Sequence, residues 1–338
     1  MTKITLPKLI FGESQSLYMH DFEVYRDTLH SLLPELNFLE NLVSSDEFGA
    51  KSFEININGL DITTTSATPQ YASCAENENS ITLMIPIAGK AIWTIDNQRI
   101  NLIEGKSACI GGVLPFEGKE LSVSSWLIIL IDRQKLNEMA LSMLGSSFLG
   151  KTLEFRLFEP REIKLQYGKV DFLQIFRELS GMIENYLEFD EAQKLLESLR
   201  IDELFYRNIV LLLLPEHFFS SPLEPSEYCP SSREKINLIK NFIEAYPYEK
   251  ITLTDLEKLT HLSARSIQLM FKKELDITPM QFIKEHRLEL VHKRLQSAKT
   301  GETITSIAIE NGFSNLSLFS KIYRDKYGTL PSHTLRYL

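Results

Sequence analysis

The pattern of apolar and polar positions is most regular near the end of the chain. Between residues 301 and 338, apolar side chains recur at helical spacing in two short stretches: Ile304, Ile307 and Ala308, then Phe319, Ile322 and Tyr323. Gly312 lies in the turn between them, and Ser314 is placed to cap the second helix. The pattern predicts a helix-turn-helix, although a helical hairpin with a solvated outer face would show the same spacing.

A second copy of this pattern lies upstream, between Ile251 and Lys273. Its apolar positions are Leu253, Leu256 and Leu259, then Ile267, Met270 and Phe271. Thr252 with Asp255 is the predicted cap of the first helix, and Ser263 is the predicted cap of the second. His261 stands in the turn, where the later copy has glycine.

One long helix is predicted between the two copies, from Pro279 to about Leu295. Thr278 and Gln281 form a predicted capping box, and proline suits the first helical position. An apolar stripe follows: Phe282, Ile283, Leu288 and Val291. Such a helix is roughly 25 Å long. It would hold two recognition helices about one turn of DNA apart, roughly 34 Å.

These stretches resemble the DNA-binding domain of the AraC/XylS family of bacterial transcription regulators. The matching runs are ITLTDL from Ile251, LSARSIQLMFKKE from Leu262, TPMQFI from Thr278, RLEL from Arg287, ITSIA from Ile304, NGFSN from Asn311, LFSKIYR from Leu318 and YGTLPS from Tyr327. The sequence departs from the family pattern at Leu269, where arginine is usual, and at Leu316, where a polar residue is common.

The resemblance implies that the second helix of each copy reads bases in a major groove. The expected DNA-contacting residues are Arg265, Ser266, Gln268 and Leu269 in the first unit, and Leu316, Ser317, Ser320, Lys321 and Arg324 in the second. Arginine pairs with guanine and glutamine with adenine, whereas the two leucines offer only apolar contact to thymine methyl groups. Lys321 is expected to contact phosphate. The resemblance also implies RNA polymerase as a partner.

The region between Lys51 and Ile131 consists of short alternating runs with turn residues between them. Asn58-Gly59 separates two such runs and predicts a hairpin. Many short strands predict a small β-barrel or jelly roll, and the family resemblance implies a cupin-like sensor barrel. Four aromatic residues are candidates to line a ligand pocket, although aromatic residues on strands are also ordinary core: Phe53, Tyr71, Trp93 and Phe116.

Two apolar helical stretches follow, Asp171–Leu187 and Glu191–Leu214. They would either cover the barrel or pair two copies of the chain into a homodimer. The stretch that follows them, SSPLEPSEYCPSS, is rich in proline and serine and predicts an extended linker.

The charge is unevenly distributed along the 338 residues, whose net charge is −9. Residues 233–338 contain 17 Lys and Arg against 12 Asp and Glu, a net charge of +5, so the remaining chain carries −14. Only the C-terminal part therefore has the sign that double-stranded DNA attracts. The acidic part is expected to face a small molecule or another protein.

Metal and enzyme chemistry find little support in the sequence. The seven histidines all lie outside the β-region, and the three cysteines are far apart, so neither a histidine-ligated cupin metal nor a disulfide is expected. Walker, Rossmann and GxSxG motifs are not found. The apolar runs are too short to span a bilayer. We therefore expect a cytoplasmic protein that is not an enzyme and needs no cofactor.

The resulting hypothesis is an α+β protein with four parts. Residues 1–170 form a cupin-like ligand-sensing β-barrel, 171–218 a helical dimerisation segment, 219–232 a linker, and 233–338 an all-α double helix-turn-helix domain. The expected function is a ligand-responsive, sequence-specific transcription activator. The alternatives are a ligand-independent or architectural DNA-binding protein with the barrel as scaffold, and a cupin-type metalloenzyme, which the histidine distribution opposes.

Overall fold

The computed structural model of the protein describes residues 5–77, 79–95, 98–111, 115–144, 151–219, 232–260, 262–299 and 301–335. The chain divides into two compact units, Met1–Ser226 and Glu227–Leu338. The first is rich in β-sheet and the second is helical, which confirms the predicted mixture of sheet and helix. Residues 220–231 of the predicted linker, and His261 of the predicted turn, lie outside the described residues.

The strands of the first unit form two main antiparallel sheets. The described strands are β1 Leu17–Met19, β2 Leu36–Asn41, β3 Ala50–Ile57, β4 Leu60–Ala67, β5 Gln70–Cys74, β6 Ser80–Ala88, β7 Lys90–Ile95, β8 Gln98–Ile103, β9 Ser107–Gly111, β10 Phe116–Glu120, β11 Ser124–Asp132, β12 Arg161–Lys164, β13 Gln166–Tyr167 and β14 Val170–Asp171. One sheet has the order β1-β3-β4-β11-β6-β9-β12, and the other has the order β2-β5-β10-β7-β8. β13 and β14 form a small hairpin.

The predicted hairpin at Asn58-Gly59 is confirmed. Ile57 pairs with Leu60, so the two intervening residues form the loop between β3 and β4. Both have positive φ, 52° at Asn58 and 82° at Gly59, as a tight type I′ turn requires. Asparagine and glycine tolerate this left-handed backbone, which is why the dipeptide is so strong a hairpin signal.

A single apolar cluster joins the inner faces of the two sheets. The larger sheet contributes Met84, Cys109, Trp126 and Ile128, and the smaller sheet contributes Leu36, Leu39, Trp93, Ile95 and Phe116. Helix α1, Phe22–Leu32, closes one side of this cluster through Tyr25 and Leu29. The space between the sheets is therefore mostly filled by side chains.

The other described helices of this unit cover the opposite face of the larger sheet. They are α2 Arg133–Leu144, α3 Lys151–Phe158, α4 Phe172–Tyr186, α5 Ala192–Ser198, α6 Ile201–Leu213 and α7 Pro215–Phe218. Phe176 and Phe205 lie in one buried cluster with Ile85 and Leu127 of the sheet. Asp171 caps α4 as predicted, by accepting a hydrogen bond from the backbone N–H of Gln174.

The prediction of one helical stretch over Glu191–Leu214 was wrong in its continuity. Arg200 adopts a left-handed backbone, with φ 53°, and separates α5 from α6. Apolar periodicity carried no sign of this break, because Leu199 continues the stripe although its side chain is 48% exposed.

The second unit is built from helices in its described part. They are α8 Ser232–Ala245, α9 Leu253–Thr260, α10 Ala264–Leu275, α11 Pro279–Gln296, α12 Ile304–Glu310, α13 Leu316–Tyr327 and α14 Pro331–Thr334. Across the described residues of the chain, we find no helix with the length and apolar character that membrane crossing requires.

Candidate nucleic-acid interface and interior cavity

The first helix-turn-helix consists of α9 and α10. Thr252 and Asp255 cap α9 reciprocally, because each backbone N–H donates to the other's side chain, at 2.8 and 3.3 Å. Ser263 caps α10 by accepting from the backbone N–H of Ser266 at 3.2 Å. Both predicted caps are confirmed. The predicted inward face is buried as well: Ile267, Met270 and Phe271.

The opposite face of α10 is presented to solvent. The residues predicted to meet DNA are all exposed: Arg265, Ser266, Gln268 and Leu269. Leu269 has 61% of its surface accessible, so its side chain can meet an apolar group of a ligand. Among the described residues Arg265 makes no ion pair, so its guanidinium is available to an anion or a base edge.

The second helix-turn-helix consists of α12 and α13. Thr303 and Ser306 form a capping box at the start of α12. Gly312 has φ 82° and closes the turn, and its backbone N–H donates to the carbonyl of Ile309 at 2.9 Å. The prediction that Ser314 caps the next helix was wrong, because Asn315 is the cap and accepts from the backbone N–H of Leu318. Both residue types cap well, so composition did not separate them.

The outer face of α13 differs from the predicted one at two positions. Ser317, Lys321 and Arg324 are exposed, and Ser320 is half-buried. Leu316 is half-buried and packs against the core around Phe319, so only part of its side chain faces outward. Leu318, which sequence reasoning missed, is 52% exposed.

Helix α11 connects the two helix-turn-helix units. Thr278 caps it by accepting from the backbone N–H of Gln281, and Pro279 occupies the first turn. The second half of the predicted capping box is absent here, because the Gln281 amide donates instead to Glu285 at 3.0 Å. With 18 residues the helix is about 27 Å long.

Arg287 lies near the middle of α11 and reaches both helix-turn-helix motifs. Its Nε donates to the carbonyl of Pro247 at 3.2 Å, and its Nη2 donates to the carbonyl of Glu249, both in the loop before α9. A Cβ at Gly312 would lie 2.6 Å from its Nη1. The guanidinium therefore fills the space between the loop before α9 and the turn between α12 and α13.

A small cavity lies between the two sheets of the first unit. Its volume is about 50 Å³, and Trp93 and Phe116 line it with ring centroids 5.3 Å apart. The other two predicted pocket residues lie elsewhere. Phe53 packs edge-on against Phe11, and the Tyr71 hydroxyl donates to Glu117 at 2.5 Å.

Polar side chains that sequence reasoning missed also line this cavity. Glu120 accepts hydrogen bonds from Gln70 at 3.2 Å, Trp126 at 2.9 Å and Ser124 at 2.6 Å. Glu35 accepts from Thr82 at 2.6 Å. The alternation of β10 was the available signal, since Phe116, Gly118 and Glu120 share its buried face.

Burial is the largest cause of the raised pKa values of Glu120 and Cys74, which line this cavity. It raises the pKa of Glu120 to about 7, and the hydrogen bonds from Ser124, Gln70 and Trp126 oppose the rise. Burial, and then the charge of Glu35, raise the pKa of Cys74 to about 12, so this thiol stays protonated at neutral pH. Among the described residues, no cluster of three or more His, Cys, Asp and Glu side chains could hold a metal ion.

Comparison with known proteins finds a family match within the second unit. A family model described as "Helix-turn-helix domain" matches residues 256–337. XylDLEGF operon transcriptional activator 2 of Pseudomonas putida is 38% identical over 98 residues, which cover 29% of this chain and 62% of that protein. XylDLEGF operon transcriptional activator 3 of the same organism is 30% identical over 164 residues, 47% of this chain and 48% of that protein.

Among solved structures, a probable AraC family transcriptional regulator from Rhodopseudomonas palustris CGA009 is 38% identical. The match covers 30% of this chain and 94% of that one, with a TM-score of 0.29. The matches to the two Pseudomonas activators span about half to three fifths of their length.

Proposed function

Because the C-terminal part of this chain belongs to the AraC/XylS family, we propose that the whole chain is a sequence-specific DNA-binding transcription regulator, and specifically an activator. One observation carries the proposal. Two capped helices, α10 and α13, each bury an apolar face and present polar and cationic side chains outward, and α11 connects their units. Double-stranded DNA is the ligand that this arrangement fits.

The proposed DNA contacts divide by chemistry. In the first helix-turn-helix, Arg265 and Gln268 carry the paired donors and acceptors that distinguish guanine and adenine. In the second helix-turn-helix, Ser317 and Ser320 read bases more loosely, while Lys321 and Arg324 bind phosphate. The exposed leucines, Leu269 and Leu318, contact thymine methyl groups. Leu316, partly withdrawn into the core, contributes less than the sequence suggested.

The first unit, in this proposal, is a cupin-like sensor that binds a small effector between its sheets. The cavity lined by Trp93 and Phe116 supports this role. Helices α4, α5 and α6 pair two copies of the chain, because several large apolar side chains on and between them remain exposed: Met182, Phe189, Leu195, Leu199 and Leu204. Ligand state reaches the DNA-binding unit through the predicted linker.

One observation favours a second candidate, a DNA-binding protein whose first unit is only a scaffold. The cavity of about 50 Å³ is small beside the roughly 300–1,000 Å³ of sites for drug-sized ligands. The burial of two carboxyl side chains on its lining, Glu35 and Glu120, supports the sensor role instead. Any effector must therefore be small and polar, or must open the sheets on binding.

Binding-site selection on variants of the recognition helices tests the proposed DNA interface. We expect Arg265→Ala and Gln268→Ala to relax base preference within one half of the footprint, each by about 1–3 kcal/mol of discrimination. Selection from a randomised DNA library, read by sequencing, measures this preference directly.

Lys321→Ala is the matched control, because it removes one exposed positive charge, as Arg265→Ala does. It should weaken binding to all sequences by similar amounts and leave the preferred sequence unchanged. An unaltered preference in both Arg265→Ala and Gln268→Ala would show that another face of α10 meets the bases.

A further inference from the structure

The cavity of the first unit is lined by two buried carboxylates and by no cation. Glu35 is 4% exposed and Glu120 is 6% exposed. Among the described lining residues there is no lysine, arginine or histidine. Burying a carboxylate without a positive partner is costly, because the surrounding side chains replace water poorly as a solvent for charge. The lining therefore favours a positively charged occupant and disfavours an anion.

Unpaired polar atoms on the same lining show which hydrogen bonds are missing. Within the described residues, Glu35 Oε2 and Gln70 Oε1 are buried without a hydrogen-bond partner. Both atoms are acceptors, so the missing group is a donor. Buried polar atoms are usually paired, and two unpaired acceptors around one cavity point to an occupant that donates hydrogen bonds to both.

The rest of the cavity lining combines three aromatic rings with aliphatic side chains such as Leu29, Leu36 and Ile128. Trp93 lies 5.3 Å from Phe116 and 6.5 Å from Trp126, between ring centroids, and all three side chains line the cavity. Aromatic faces attract cations through their quadrupoles, most strongly for tryptophan and when water is excluded. Carboxylates beside aromatic walls are the combination that suits an ammonium group carrying a short alkyl chain.

Volume limits the size of this occupant. About 50 Å³ is far below the roughly 300–1,000 Å³ of sites for drug-sized ligands. Only a molecule of a few non-hydrogen atoms fits without opening the sheets. Trp93 Nε1 is a buried donor without a partner in the described part of the chain, and an ammonium cannot satisfy it. The proposed contact with Trp93 is therefore to its ring.

We propose that the effector cavity binds a small protonated alkylamine, held by Glu35, Gln70 and Glu120 and enclosed by Trp93, Trp126 and Phe116. This inference rests on the proposed sensor role of the first unit and defines the chemical class of its ligand. The ammonium donates to the unpaired oxygens of Glu35 and Gln70 and favours the ionised form of Glu120, while the alkyl group contacts the rings.

Thermal unfolding and isothermal titration of the full chain with methylammonium chloride test this proposal. Potassium chloride at equal ionic strength, urea and sodium acetate serve as the cationic salt, neutral donor and anionic probes. We expect saturable binding and a raised Tm with methylammonium alone. A saturable response to urea or acetate without one to methylammonium would overturn the proposed class, and so would the absence of any response.

Variants locate the site. Glu35→Gln and Glu120→Gln keep the side-chain shape and remove the charge, so each should weaken methylammonium binding by about tenfold or more. Trp93→Phe keeps an aromatic face and should retain binding within about threefold. Glu117→Gln, on the exposed face of β10, is the matched control and should bind as the parent does. Full binding by both cavity variants would refute the assignment.

DNA binding is measured on the same samples by electrophoretic mobility shift. If methylammonium fails to bind while DNA selected from the randomised library is still bound, the ligand class is wrong and the proposed regulator function stands. If the folded chain binds no DNA sequence specifically, the proposed function fails whatever the amine does.

Discussion

At the scale of single residues, the interior of the first unit is governed by Glu120. Its carboxylate accepts three hydrogen bonds and is nonetheless buried deeply enough that its pKa rises from 4.5 to about 7. In the unfolded chain the same carboxyl ionises near its ordinary value. The folded chain therefore binds more protons than the unfolded chain between about pH 4.5 and pH 7.

This difference predicts that stability falls as pH rises through that window. The sign follows because raising the pH removes a proton that only the folded state prefers to keep. We expect Glu120 to cost about 2–3 kcal/mol of unfolding free energy at pH 8 relative to pH 5. Urea denaturation of the parent and of Glu120→Gln at both pH values measures it.

Glu120→Gln should remove this pH dependence and be the more stable protein at pH 8. The amide can keep its oxygen toward Trp126 and Gln70, and Ser124 can reverse its hydroxyl to accept from the new N–H. Equal slopes of stability against pH in the two proteins would show that Glu120 is ionised in the fold throughout.

At the scale of elements, the second unit is held together by contacts between α11 and the helices on either side. His292 stacks on Tyr327 with ring centroids 4.0 Å apart, and its Nδ1 hydrogen-bonds the Tyr323 hydroxyl at 2.6 Å. Arg287 reaches the loop before α9 and lies against the turn at Gly312. These contacts fix the second recognition helix, α13, to α11. They also link α11 to the loop that precedes the first helix-turn-helix.

Substituting the turn glycine tests the Arg287 contact. Gly312→Ala places a methyl group in a backbone with φ 82° and 2.6 Å from Arg287 Nη1, so it should destabilise by more than the backbone cost of about 1–2 kcal/mol. Chemical denaturation measures the loss, and mobility shift measures the accompanying loss of DNA affinity.

Gly328→Ala is the matched control. Gly328 ends α13 with φ 71°, and a Cβ there meets nothing within 4 Å of the described structure. It should cost only the backbone term, and DNA affinity should change little. If the two alanine variants lose equal stability, Arg287 does not constrain the turn.

Sequence patterns predicted these elements better than they predicted the interior. Helix caps such as Ser263 and the Asn58-Gly59 hairpin are local, so neighbouring residues suffice to identify them. The cap at Asn315 was misplaced by one residue, because Ser314 has equal capping chemistry. Leu316 is less exposed than predicted because it packs against the core around Phe319, and the apolar pattern did not indicate that Leu318 is 52% exposed.

The cavity could not be predicted, because it depends on which strands face one another. Trp93 and Phe116 were candidates only as aromatic residues on strands, and so were Phe53 and Tyr71, which lie elsewhere. Glu35 precedes β2 and Glu120 ends β10, and the fold brings both to one cavity. Long-range pairing of this kind is absent from any single-sequence periodicity.

At the scale of the whole molecule, the exposed apolar side chains on and between α4, α5 and α6 are the proposed dimer interface. Leu199 lies between α5 and α6 and is 48% exposed, near the other exposed side chains of that segment in sequence. We expect Leu199→Asp to weaken self-association of the chain by about tenfold or more, because a charge would be buried at the proposed dimer interface. Analytical ultracentrifugation over a concentration series measures it.

Leu121→Asp is the matched control, since Leu121 is 52% exposed in the turn between β10 and β11, outside the proposed interface. It should leave self-association unchanged. A monomeric parent chain, or equal effects of the two substitutions, would contradict the proposal that this helical segment dimerises.

The last prediction concerns DNA binding by the positively charged C-terminal part of the chain. Residues 233–338 carry a net charge of +5 within a chain of −9. The same residues bury their own apolar cores, one including Phe242, Leu256 and Phe271 and the other including Val291, Phe319 and Tyr323. A fragment of residues 233–338 should therefore fold alone and bind DNA, without the electrostatic repulsion that the acidic part adds.

Measuring the DNA affinity of this fragment as a function of salt concentration tests the prediction. Its affinity should fall linearly with the logarithm of salt concentration, because each phosphate contact releases counterions. Lys321→Ala should reduce that slope by about one, and Leu269→Ala should leave the slope unchanged while altering base preference. Folding is checked by circular dichroism. A folded fragment whose DNA binding ignores salt would show that the positive charge of the second unit does not contact the backbone of DNA.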